Sequence, residues 1–108
     1  MRSQGSPARY HVRVDKDGKQ VTAWFDASVP VGSGLLAFFA LAVNGNNLTS
    51  DFLPGQTGYN GTRYTTLADA TQDAAVTLSI STNEGWSASG EGTLRGSVER
   101  DTVFFQSE

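Results

Sequence analysis

Trp24 and Asp26 stand two residues apart in a segment that alternates apolar and polar side chains. In extended backbone, residues i and i+2 share a face, so an indole and a carboxylate stand side by side. That pair suits a sugar: the ring covers C–H surface and the carboxylate accepts hydroxyl protons. Tyr59, Asn60 and Tyr64 follow in or beside the long glycine-rich loop Pro54 to Gly61 and extend the same chemistry. The expected ligand-binding set is Trp24, Asp26, Tyr59, Asn60 and Tyr64, with a glycan as ligand. The competing reading keeps Trp24 for structure, under a loop, against a second sheet or between copies of the chain.

A second lead is the row Gly90, Gly92 and Gly96 on the inward parity of a later segment. In a closed barrel the missing side chains would leave a cavity for a small apolar ligand. In a sandwich they would let another backbone or an aromatic such as Phe38 or Phe104 approach.

Catalytic spacings fall short. His11 is the only histidine and lies out of phase with Tyr10, Val12 and Val14, on the solvent side. The chain has no cysteine, which removes thiol nucleophiles, disulfides and cysteine-ligated zinc. Gly85-Trp86-Ser87-Ala88-Ser89 approaches a nucleophile elbow but lacks its last glycine and the following helix. Asp15-Lys16-Asp17-Gly18 opens like a calcium loop without the later ligands, and reads as a turn. Paired carboxylates for glycoside hydrolysis would need a deep cleft, for which a small β domain has little room. The expectation is a non-catalytic binding module with no cofactor and no metal.

The elements that must carry these residues are strands. Tyr10, Val12 and Val14 alternate with polar neighbours, as do Val21 to Val29 and Val76 to Ile80. Trp86 to Glu99 holds the same alternation over fourteen residues, a pattern no helix produces. Leu35 to Val43 is apolar without alternation and reads either as a strand buried on both faces or as a short helix. Asn44-Gly45 predicts a tight hairpin. Short connections predict an antiparallel meander of about seven or eight strands, closed into a barrel or folded as a β-sandwich.

At 108 residues the chain suits one domain, read as a disordered arm over 1–8 and a single β domain over 9–108. The net charge of −3 argues against nucleic acid. Leu35 to Val43 is about half of a membrane-spanning length, so no membrane span is expected, and Met1 to Ala8 lacks a signal-peptide core. Five basic residues fall within 1–19, which reads as a positive arm meeting an acidic body. That asymmetry, with the two apolar faces of Leu35 to Val43, predicts a homo-oligomer. Assembly without a small-molecule ligand is the alternative function. The compartment stays open.

Overall fold

The computed structural model describes residues 9–28, 37–48, 50–52, 58–83 and 85–106. The expected arm Met1 to Ala8, the turn Pro30 to Gly34 with Leu35 and Leu36, Leu53, and the first part of the expected loop, 54–57, lie outside the described residues. The described residues form nine strands and no helix: β1 Arg9–Asp17, β2 Gln20–Ser28, β3 Ala37–Val43, β4 Asn46–Asn47, β5 Ser50–Phe52, β6 Gly58–Thr66, β7 Ala74–Thr82, β8 Ser87–Leu94 and β9 Arg100–Gln106.

They build two antiparallel sheets, one ordered β6-β2-β1-β9 and the other β4-β3-β7-β8 with β5 beside β3. All-β antiparallel architecture is as expected; the meander and the closed barrel are not. The chain changes sheet four times, after β2, β5, β6 and β8. Each sheet can bury only one face on the common core, so the apolar faces are matched by crossing rather than by continued pairing.

Local chemistry explains the hairpins. Gly18 takes φ 60° in the two-residue loop between β1 and β2, where an L side chain would be strained. Asn44 and Gly45 take φ 50° and 84°, the two positive angles of a type I′ turn, between β3 and β4. β3 does alternate: Phe39, Leu41 and Val43 are buried while Phe38 and Ala40 are exposed. The alternation was hidden because its outward positions carry apolar residues too.

Tyr10 and Phe25 from the first sheet meet Phe39 from the second, with ring centroids 5.6 Å and 5.4 Å apart. Trp86 stacks on Tyr10 at 5.4 Å. Val12, Val14, Val21, Leu41, Val76, Leu78 and Leu94 belong to the same core cluster.

One end of the molecule is tied together by polar groups. The fourteen-residue alternation does not make one strand: β8 stops at Leu94, and residues 95–99 cross to β9. Asp101 holds this crossing through Arg95, whose backbone N, Nε and Nη2 donate at 2.8, 3.1 and 3.1 Å. The Arg95 guanidinium and these N–H bonds hold the Asp101 carboxyl well below the usual carboxylate range. The Gly96 N–H donates to Asp73 Oδ1 at 2.8 Å, and its Cα lies against the Thr71–Gln72 backbone, leaving no space for a Cβ. Lys16, read from sequence as part of a basic arm, is instead buried on the inward parity of central strand β1. Its Nζ donates to the carbonyls of Ala70, Arg95 and Val98 at 2.7, 2.7 and 2.8 Å.

Candidate functional site

The inner faces of β1 and β2 are filled by the core, so chemistry on these two strands belongs to the outer face. Cross-strand register arranges that face in rows. One row runs Phe104, Arg13, Trp24, Thr62 across β9, β1, β2 and β6; the next runs Thr102, Asp15, Thr22, Tyr64. Three large rings stand exposed there: Trp24 at 41 %, Tyr64 at 69 % and Phe104 at 70 %. Single exposed rings are ordinary, but rings gathered on one sheet face, as Trp24 and Tyr64 are in adjacent rows, form a surface suited to a ligand.

Trp24 is held rather than loose. Its Nε1 donates to Asp15 Oδ2 at 2.9 Å, across the diagonal of the β1–β2 pair. The Arg13 guanidinium lies over the indole with its carbon 4.9 Å from the ring centroid, a cation–π contact. Arg13 Nε also donates to Asp15 Oδ2, at 3.2 Å, and Thr102 Oγ1 donates to Asp15 Oδ1 at 2.9 Å. On the β6 side, Thr62 Oγ1 donates to the Tyr64 hydroxyl at 3.3 Å.

The predicted set is partly gathered. Trp24 and Tyr64 share the outer face in adjacent rows. Asp26 pairs with His11 and Asn60 in the row beyond Trp24, so their backbone positions continue the face. Tyr59 pairs with Ala27, at the alternating position. Tyr59 and Asn60 sit in β6, not in a loop, because β6 begins already at Gly58. The acid that touches Trp24 is Asp15, which the sequence suggested for a turn. Arg13, Asp15, Thr62 and Phe104 were missed. For Arg13 and Asp15 the signal was there in the outward parity of the segment around Val12 and Val14, once that strand is extended to Asp17. His11 is exposed on the same face, two residues before Arg13.

The inward glycines do not line a barrel lumen. A Cβ on Gly92 would come within 2.6 Å of Val103 Cγ1, and one on Gly90 within 3.1 Å of Phe105 Cδ1. These glycines let β9 side chains close over β8 where the two sheets meet without pairing. Beside them an open cleft of about 220 Å³ remains, lined by Tyr10, Leu78, Ile80, Ala88 and Phe105 among others. The outer face of the second sheet carries a groove of about 570 Å³ over Ala40, Ala42, Thr77, Ser79 and Glu91. Among the described residues no three His, Asp or Glu side chains gather as metal ligands, and no helix is long and apolar enough to cross a membrane.

No family model, curated protein or solved structure matches this chain. The functional reading therefore rests on the geometry of the aromatic face.

Proposed function

We propose that the protein is a non-catalytic glycan-binding module, with the outer face of the four-stranded sheet as its contact surface. The observation that carries this reading is Trp24: an indole 41 % exposed, yet fixed by a 2.9 Å hydrogen bond to Asp15. A ring held in place before binding loses little freedom when a sugar stacks on it, which is how a small site gains affinity. Tyr64 one row away extends the platform across β2 to β6. A titration with defined oligosaccharides, followed by tryptophan emission and amide shifts, tests it. Binding should move the Trp24 indole N–H resonance and leave that of Trp86, which stacks on Tyr10, unchanged. A folded Trp24→Ala variant that binds as tightly as the parent would refute the reading.

Self-association has an observation of its own. Phe38 is 42 % exposed on the outer face of the second sheet, beside Ala40 and Ala42. A second copy laid on that face would cover it. Light scattering in line with size exclusion decides: a mass of one 11.5 kDa chain at micromolar concentration ends this reading.

A further inference from the structure

Resting on the glycan reading, we infer that the ligand is an acidic glycan, one whose carboxylate or sulfate groups meet Arg13. The donors and acceptors of the face point this way. An ionised carboxylate offers about four lone-pair positions. Asp15 has three in use, by Trp24 Nε1, Arg13 Nε and Thr102 Oγ1. The acid beside the stacking ring therefore has little left with which to accept sugar hydroxyls. Arg13 is the reverse case. Its Nε is turned onto Asp15, and among the described residues no acceptor meets Nη1 or Nη2. Those two nitrogens form the end of the guanidinium fork that takes two oxygens of an oxyanion at once.

The guanidinium is also oriented in advance, pinned by Asp15 on one edge and by the Trp24 ring at 4.9 Å, with Phe104 opposite it on β9. The Tyr64 hydroxyl accepts from Thr62, which leaves its own proton to donate. Arg13 and Tyr64 lie two strand spacings and one row apart, about 12 Å, which an oligosaccharide bridges. On this face Asp15 is already bonded and Asp17 is paired with Arg100 at 3.6 Å, so rings and free donors select an anionic sugar over a neutral one.

The experiment is calorimetric titration of the full chain with three probes of equal length: oligogalacturonide, chondroitin sulfate oligosaccharide and neutral galactan oligosaccharide. At least one anionic probe should bind about tenfold tighter than the neutral one, the size of a charge-assisted, bidentate contact. Which of the two binds separates carboxylate from sulfate as the source. Arg13→Gln should abolish the preference, and Arg13→Lys should restore only part of it because a point charge lacks the fork. Equal affinity for neutral and anionic probes overturns this inference and leaves the glycan reading standing. If no probe binds, or a single-stranded oligonucleotide alone moves the Trp24 resonance, both fall. Because the preference is read first in the unaltered protein, a variant that fails to fold does not shield the idea.

Discussion

Lys16→Met tests whether one buried ammonium holds the two sheets together at their polar end. Methionine keeps the length and apolar stem of the lysine and removes only its three N–H donors. In the structure all three are engaged, one by the β6–β7 crossing at Ala70 and two by the β8–β9 crossing at Arg95 and Val98. Hydrogen bonds to a charged donor are worth about 1.5–3 kcal/mol each. Against that loss, the variant no longer strips water from an ammonium, which returns several kcal/mol. The two effects leave a net destabilisation of about 3 kcal/mol, the scale expected when buried carbonyls lose their donor. In a domain of this size that lowers the melting temperature by roughly 10–20 °C.

Urea and thermal melts followed by circular dichroism give the magnitude, and amide hydrogen exchange gives the place. Protection should fall first in residues 67–73 and 95–99, while the β2–β6 ladder keeps most of its own. A melting temperature within about 2 °C of the parent would show that the three carbonyls find water as readily as they found Lys16. A loss of protection spread evenly over all strands would refute the localisation, whatever its size.

Phe39→Ala should destabilise by about 3–5 kcal/mol in denaturant melts, whereas Phe38→Ser should stay within about 1 kcal/mol, since only Phe39 is buried between Tyr10 and Phe25. Equal effects would contradict the alternation of β3. Gly96→Ala should cost more than 2 kcal/mol, about the scale of forcing backbone apart, because its Cβ would press on the Thr71–Gln72 backbone; Gly90→Ala meets only the movable Phe105 ring and should be mild. The reverse order in thermal melts would show that the crossing at 95–99 yields easily. Asp101 has its pKa depressed by Arg95, so it stabilises the fold above the unfolded carboxylate value of about 3.9 and loses that contribution as pH falls through the folded value. The stability gap between the parent and Asp101→Asn should therefore narrow below about pH 4, and a gap that is constant with pH would count against the pairing.

Strand positions were legible because burial on one face writes a period of two into the residues. Val76 to Ile80 shows it cleanly, with buried and exposed positions alternating through β7. The pattern failed where a position obeyed parity for another reason. Residues 95–99 keep the alternation of β8, yet there the chain leaves the sheet, because Asp101 and Asp73 take backbone N–H groups that a ladder would need. Sheet order was not legible at all: short connections suggest neighbours, but nothing local tells a link such as 95–99 whether to return or to cross. The fate of the inward glycines depended on that order, since Val103 and Phe105 cover them only because β9 pairs with β1.

The same logic explains why the sequence pointed to Trp24 without the neighbours that hold it. Trp24 stood out on residue type alone, and the neighbour sought for it was the nearest carboxylate along the strand. In an antiparallel pair, however, the residues closest to an outward side chain lie across the ladder and on its diagonals, here Arg13 and Asp15. Both come from a segment whose charges looked like a basic arm ending in a turn. Once that segment is a central strand, its parities separate the charges by task. Lys16 goes inward to bind carbonyls; Arg13 and Asp15 go outward to fix the indole. One strand thus supplies both the pin between the sheets and the frame of the aromatic face. A change at Lys16 that loosens β1 should accordingly also free the Trp24 ring.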